Sequence, residues 1–204
     1  HGVVHRDLKP GNILLQRISE SDPQLPACPT PGRAGDFGKT GGTFNGFQLK
    51  IADFGLAKVV EINGDLALHS ATKTGDILGT PAYMSPEQAR GDTSQLTAAT
   101  DTYALGAILY ELLTGRPPFV GVQPMEVLGQ VISDEPVRPS HLVRRVPKDI
   151  QTICLKCLEK TPGRRYASAA DLADDLARFL ADQPIVAAAL QPLSEAGGGA
   201  AVIR

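Results

Sequence analysis

The 204-residue chain contains no tryptophan, and aromatic residues make up only 5% of it. Its charge is almost balanced, with 20 Lys and Arg against 22 Asp and Glu and a formal net charge of −2. A nucleic-acid-binding surface normally carries a marked basic excess, so this composition argues against one. The sequence also lacks any apolar run near the roughly 20 residues that a bilayer-spanning helix requires. We therefore predict no nucleic-acid partner and no membrane segment in this chain.

Cysteine is scarce as well. The three residues are Cys28, Cys154 and Cys157, an odd number that does not form a disulfide framework. The Cys154-x-x-Cys157 spacing is compatible with half a zinc site or a redox pair, although two further ligands with zinc spacing are missing. The apolar residues that share the helical spacing of these two cysteines are Ile150, Ile153 and Leu158. Because a free thiol packs like a small apolar group, we predict that both cysteines lie in the core.

The first half of the chain predicts loops and short strands. Residues 16–46 are rich in proline and glycine, which is typical of a flexible insertion. Phe47, Leu49 and Ile51 then alternate with polar residues, a pattern that predicts a short half-buried strand.

The second half predicts helices. From residue 101 onward an apolar stripe runs to Gly115, and its members are Leu105, Ile108, Leu109, Leu112 and Leu113. Further helices are predicted over 124–133 and 148–159, and a last one begins at Ser168, whose hydroxyl can cap it together with Asp171. The Ala- and Gly-rich residues 183–204 predict a disordered or frayed tail.

The most informative stretch runs from His5 to Asn12 and reads H-R-D-L-K-P-G-N. It has the form of a loop that catalyses phosphoryl transfer, a reaction that needs positioning and charge neutralisation more than covalent chemistry. Asp7 can accept the proton of an attacking hydroxyl, and Lys9 can place its ammonium beside the transferred phosphate. Asn12 offers a neutral oxygen to Mg²⁺, a hard cation that prefers oxygen ligands.

The stretch from His5 to Asn12 resembles the catalytic loop of protein kinases, and this resemblance implies a second metal ligand in an Asp-Phe-Gly triplet. The chain contains two such triplets. The triplet at Asp36 lies in the Gly/Pro-rich insertion with no strand before it. The triplet at Asp53 directly follows the alternating strand. We therefore predict that Asp53 binds Mg²⁺ and that the earlier triplet is a coincidence.

These motifs resemble the protein kinase family, in particular its bacterial-type serine/threonine branch, over residues 1 to about 180. The stretch from Gly79 to Glu87 reads G-T-P-A-Y-M-S-P-E and is similar to the segment that closes the kinase activation loop. Ser85 stands where the family usually has alanine, a change that we expect to be harmless. The resemblance implies an ATP- and Mg²⁺-dependent enzyme that phosphorylates Ser and Thr of protein substrates. It also implies that Lys9 binds ATP and that Thr80 bridges Asp7 and Lys9.

The resemblance implies a fold as well: α+β, mainly α, the large C-terminal lobe of a kinase with a small catalytic-loop hairpin. We assign residues 1–182 to this lobe, 53–87 to the activation segment and 183–204 to the tail. The Gly-rich loop, the strand lysine and its glutamate partner, which hold ATP in this family, are not found in the sequence. We expect this N-lobe to be the missing partner of the chain.

The resemblance further implies several supporting residues. Asp101 would hold the backbone of the catalytic loop, and Glu87 would pair with an arginine near the end of the domain, here Arg165. Arg6 would bind a phosphorylated residue of the activation loop. Candidate phosphorylation sites are Thr72 and Thr74, and also Ser70.

Two functional classes stay open. One is an active serine/threonine kinase, which the intact Asp7, Lys9, Asn12 and Asp53 favour. The other is a pseudokinase-like module that binds partners without catalysis. The expected location is the cytoplasm, where ATP is available and free thiols persist.

Overall fold

The computed structural model describes residues 4–17, 43–44, 47–53 and 81–189. Within these ranges the strands are β1 (Ile13–Arg17), β2 (Thr43–Phe44) and β3 (Phe47–Ile51). The helices are α1 (Pro86–Ala89), α2 (Ala98–Thr114), α3 (Pro124–Ser133), α4 (Pro139–Leu142), α5 (Lys148–Cys157), α6 (Ala169–Leu180) and α7 (Val186–Ala189). Short 3₁₀ turns occur at Pro10–Asn12, Pro81–Tyr83, Thr93–Gln95 and Pro162–Arg164. The fold is therefore mainly helical with one small sheet.

The three strands form one antiparallel sheet in the order β1-β3-β2. Ile13 pairs with Ile51, and Leu15 pairs with Leu49. The prediction that β3 is half-buried is wrong, because Phe47, Leu49 and Ile51 are 39, 51 and 50% exposed. No helix in the described ranges covers these side chains. The alternation of apolar and polar residues identified the strand correctly, but this pattern carries no information about which elements pack on the strand.

Strand pairing shows that the insertion predicted from composition over residues 16–46 includes strand residues near both of its ends. Gln16 and Arg17 continue β1, and Thr43–Phe44 pairs with β3 as β2. These residues are ordered by hydrogen bonds to a partner strand, which local composition does not reveal. Residues 18–42 and 45–46 of the predicted insertion lie outside the described ranges.

The longer helices begin and end close to the predicted positions. The range 124–133 is confirmed by α3. The predicted start at Ser168 is confirmed as well, because its hydroxyl accepts a hydrogen bond from the Asp171 backbone and the Asp171 carboxylate accepts one from the Ser168 backbone. Helix α2 begins three residues before residue 101, capped by Thr97, and ends before Gly115 in the left-handed region at φ 78°.

Helix α2 contributes to both apolar clusters of the domain. Tyr103, Ala107 and Tyr110 pack with residues of α3 and α5 in one cluster. The second cluster joins α5 and α6 to the chain around Ile185. Leu105, Leu109 and Leu113 of the predicted stripe are partly buried and pack against the second cluster. The fully buried apolar side chains of α2 are tyrosines and alanines, and Leu112 of the stripe is 79% exposed.

Helices α2 and α5 approach closely at Gly106. A Cβ added at Gly106 would clash with the Cβ of Cys157, and the Cys154 thiol lies 3.6 Å from the Gly106 carbonyl oxygen. Both thiols are fully buried, and burial raises the pKa of Cys154 to about 12 and raises the pKa of Cys157 as well. The prediction that these cysteines pack in the core is confirmed.

We expect Gly106→Ala to lower the free energy of unfolding by about 1–3 kcal/mol, because the new methyl group overpacks the α2–α5 contact. Gly129→Ala is the matched control, since Gly129 also lies within a helix but its added Cβ would meet nothing within 4 Å. The control should stabilise the protein by about 0.5–1 kcal/mol through helix propensity. Urea unfolding of both variants measures the difference. Equal shifts in the two variants would contradict the close approach.

The described chain stays packed beyond the predicted domain boundary at residue 182. Ile185 and Ala187 are 4 and 2% exposed. The buried carboxylate of Asp175 accepts hydrogen bonds from the Tyr166 hydroxyl at 2.7 Å, the Val186 backbone N–H at 2.7 Å and the Ala187 backbone N–H at 2.9 Å. These contacts hold residues 185–187 against α6, although the sequence assigns them to a frayed tail. No helix of the described chain has the length and apolar character to cross a bilayer.

Candidate active site

The catalytic-loop motif lies against the first turn of α2. The Asp101 carboxylate accepts a hydrogen bond from the backbone N–H of His5 at 2.6 Å and another from that of Arg6 at 2.8 Å. Arg6 has a positive φ of 67°, a conformation that is unfavourable for residues with a Cβ and needs support from its surroundings. Asp101 thus holds two consecutive backbone N–H groups of the loop.

His5 joins this loop to the strand that leads to Asp53. Its ring is buried, with Nε2 lying 3.0 Å from the Ala52 carbonyl oxygen. The Nδ1 atom accepts a hydrogen bond from the Asp7 backbone N–H at 3.3 Å. A second link comes from the Ala52 N–H, which donates to the Asn12 carbonyl oxygen at 2.9 Å. The catalytic loop and the end of β3 therefore form one hydrogen-bonded unit.

Within this unit Asp7, Lys9 and Asn12 come together. The Lys9 ammonium lies 3.5 Å from the Asp7 carboxylate. The Asn12 side-chain N–H donates to the Asp7 backbone oxygen at 2.7 Å and to its carboxylate at 3.3 Å. Asp7 is partly exposed whereas Asn12 is buried. A carboxylate fixed in this way can accept a proton from an approaching hydroxyl, with a cation beside it to attract a phosphate.

Asn12 and Asp53 are the residues that could hold a magnesium ion. They lie at the same end of the hairpin, because Asn12 precedes β1 and its carbonyl oxygen bonds to the residue before Asp53. The amide nitrogen of Asn12 is used by Asp7, so its amide oxygen is the atom that can face a cation. Asp53 is exposed and has a positive φ of 54°. One amide oxygen and one carboxylate suit Mg²⁺, which takes few protein ligands when phosphates and water complete its shell.

No group of three or more His, Cys, Asp or Glu in the described residues could hold a metal ion by itself. Thr80, Thr72, Thr74 and Asp36 lie outside the described residues, so the roles predicted for them stay predictions.

Arg165 forms a fully buried ion pair with Glu87, a residue of α1. The two guanidinium Nη atoms each donate to one Glu87 carboxylate oxygen at 2.8 Å. The remaining donors reach backbone carbonyl oxygens, those of Ala99, Glu159 and Lys160, at 2.9, 2.7 and 3.1 Å. All five N–H groups of Arg165 are therefore satisfied. Burial alone would raise the pKa of Glu87, but the hydrogen bonds and charge of Arg165 outweigh it and hold that pKa below its ordinary value.

Sequence reasoning missed Gln88. Its side-chain oxygen accepts a hydrogen bond from the Ser85 backbone N–H at 3.0 Å, while the Ser85 hydroxyl accepts one from the Gln88 backbone N–H at 3.4 Å, so the pair caps α1. Its side-chain nitrogen donates to the Arg6 carbonyl oxygen at 2.6 Å. The S-x-x-Q spacing could have revealed the cap. Nothing in the local sequence could have revealed the bond to the catalytic loop.

Several known proteins are similar in sequence to most of this chain. The family model described as "Protein kinase domain" matches residues 1–176. The serine/threonine-protein kinase PknB of Mycolicibacterium smegmatis is 36% identical over 178 residues, which are 87% of this chain and 23% of that relative. PknB of Mycobacterium tuberculosis strain H37Rv is 34% identical over 184 residues, 90% of this chain and 24% of the relative.

A probable serine/threonine-protein kinase of Streptomyces coelicolor, SCO3848, is 38% identical over 197 residues. This match covers 97% of the present chain and 24% of that protein. The chain spans about a quarter of the length of these curated relatives.

Proposed function

Because the chain belongs to the protein kinase family, we propose that the native protein is a serine/threonine kinase. It transfers the γ-phosphate of ATP to Ser and Thr hydroxyls of protein substrates. The observation that carries this proposal is the hydrogen-bonded unit of Asp7, Lys9 and Asn12, joined through Ala52 to Asp53. The printed names of the relatives support the serine/threonine branch.

In the proposed reaction Asp7 orients the substrate hydroxyl and accepts its proton as the bond to phosphorus forms. Lys9 stabilises negative charge on the transferred phosphoryl group, and it is close enough to Asp7 to act on the same reacting atoms. Asn12 and Asp53 would hold Mg²⁺, which when bound neutralises charge on the phosphates. Thr80 would bridge Asp7 and Lys9, and Arg6, which is exposed, would bind a phosphate on Thr72 or Thr74.

We assign the described elements to the larger, helical lobe of the kinase fold. The Gly-rich loop and the strand lysine that hold ATP would then come from a segment outside these 204 residues. The exposed apolar face of β1 and β3, with Leu15, Leu49 and Ile51 at least half exposed, is a surface that such a segment could cover. We keep the cytoplasm as the proposed location for the same reason as before, the supply of ATP.

The proposal is tested by incubating the native full-length protein with radiolabelled ATP, Mg²⁺ and a mixed protein substrate. We expect phosphoserine and phosphothreonine in the substrate and no label after the magnesium is chelated. The Asp53→Asn variant runs in parallel to reveal a contaminating kinase. Equal labelling by wild type and variant, or no labelling by either, would favour the pseudokinase-like binding module instead.

A further inference from the structure

Gln88 connects two parts of the site that are 82 positions apart in the sequence. It lies in α1, directly after the Ser85-Pro86-Glu87 motif. From there its side-chain N–H reaches the Arg6 carbonyl oxygen at 2.6 Å, on the residue that precedes Asp7. The same side chain caps α1 through its oxygen atom, so both ends of the amide are in use.

The bond to Arg6 acts on the peptide group that joins Arg6 to Asp7. The oxygen of this peptide accepts from Gln88, and its nitrogen, which belongs to Asp7, donates to His5 Nδ1 at 3.3 Å. Arg6 itself has a left-handed φ of 67°. A residue in this region can relax if the following peptide group rotates, because the left-handed conformation is disfavoured for residues with a Cβ. Hydrogen bonds on both sides of the peptide prevent that rotation.

We propose that Gln88 is a positioning residue for Asp7, a role that rests on the proposed kinase function. It fixes the Arg6–Asp7 peptide and thereby the direction in which the Asp7 carboxylate points. Asp101 accepts hydrogen bonds from the backbone N–H groups of His5 and Arg6. Gln88, in α1, donates to the carbonyl oxygen of Arg6 and so supports the other side of that residue. Through it the end of the activation segment is tied to the catalytic loop.

The positioning role can be separated from capping, because the amide oxygen of Gln88 caps α1 and its amide nitrogen bonds to Arg6. Glutamate at this position would keep the oxygen that accepts from Ser85, since Glu and Gln both complete a capping box. It would lose the N–H that donates to Arg6 and would place a carboxylate against a carbonyl oxygen. Gln88→Glu therefore removes the positioning bond and retains the helix cap.

The test compares Gln88→Glu with Gln95→Glu in the native full-length protein. Gln95 is exposed in the 3₁₀ turn Thr93–Gln95, so its variant makes the same charge change away from the catalytic loop. We expect Gln88→Glu to lower kcat about tenfold or more, as for a small misplacement of a reacting group. The KM for ATP and the thermal midpoint should stay close to wild type, and the control should match wild type throughout.

Ser85→Ala is the converse variant, because it weakens the cap of α1 and retains the Gln88 amide that bonds to Arg6. It should lower the thermal midpoint and reduce kcat less than Gln88→Glu does. Equal losses of kcat in these two variants would assign the effect to the helix cap and overturn the proposal. An unchanged kcat in Gln88→Glu would overturn it as well.

Hydrogen exchange gives a readout that needs no turnover. The Arg6 and Asp7 amides should exchange about fivefold faster or more in Gln88→Glu, because the loop opens locally once its carbonyl support is lost. The Gln95→Glu control should exchange like wild type. Unchanged exchange in Gln88→Glu would refute the positioning role, whereas an inactive wild type with this exchange difference would refute only the proposed function.

Discussion

Replacing Arg165 with alanine is expected to lower the free energy of unfolding by about 3–5 kcal/mol, because it leaves the buried Glu87 carboxylate without its partner. The loss extends beyond the ion pair. Three backbone carbonyl oxygens would lose the hydrogen bond that Arg165 donates. The Thr100 hydroxyl, at 3.0 Å from Glu87, cannot replace a charge. Chemical unfolding at neutral pH measures the effect.

The neighbouring arginine supplies the control. The Arg164 side chain is 75% exposed and lies 3.9 Å from Glu159, so Arg164→Ala should change stability by no more than about 0.5 kcal/mol. Equal unfolding midpoints for wild type and Arg165→Ala would refute the structural role of the pair. A loss in Arg164→Ala as large as that in Arg165→Ala would contradict the expectation that only the buried arginine is important for stability.

The same pair predicts a pH dependence with a definite sign. The pKa of Glu87 is lowered in the folded protein from its ordinary value of 4.5. Its contribution to stability is therefore fully present above pH 4.5 and is lost as the pH falls through the lower, folded-state pKa. The stability gap between wild type and Arg165→Ala should consequently narrow in acid. A gap that widens as the pH falls would contradict the pairing.

Replacing Asp53 with asparagine is expected to lower kcat/KM about a thousandfold, since the carboxylate is the only charged protein ligand in the proposed Mg²⁺ site. The amide of asparagine keeps an oxygen in nearly the same place but removes the charge that offsets the cation. The variant should also need more magnesium for half-maximal activity. Initial rates over a magnesium titration measure both changes.

Asp36→Asn is the matched control, because it makes the same change in the other Asp-Phe-Gly triplet. If Asp53 is the metal ligand, the control should retain its rate within about twofold, since it alters no ligand of the cation. A large loss in Asp36→Asn with a normal rate in Asp53→Asn would move the metal site to the earlier triplet.

Features that depend on residues close in sequence could be predicted here. The range of α3, the capping of α6 by Ser168 and the end of α2 at Gly115 all follow from local backbone chemistry. The catalytic-loop motif was equally readable, because its residues are within eight positions of one another. Each of these signals is complete within one or two turns of the chain.

Features that depend on distant partners could not be predicted in the same way. The exposure of Leu49 depends on what packs on β3, and the complete burial of Tyr103 depends on the helices around α2. The bond from Gln88 to Arg6 joins α1 to the catalytic loop, two segments that only the fold brings together. A resemblance identified the partners Glu87 and Arg165, but not the carbonyl oxygens that complete the environment of that arginine.

The hydrogen bonds of Asp175 give the end of the described chain a mechanical property. Tension applied to the backbone beyond Ala187 would be carried first by the two hydrogen bonds that the Val186 and Ala187 N–H groups donate to Asp175. The same carboxylate is held by the hydroxyl of Tyr166, which is the next residue after Arg165. A pulling force would thus pass along a short load path from residue 187 to the Arg165–Glu87 pair and from there to α1.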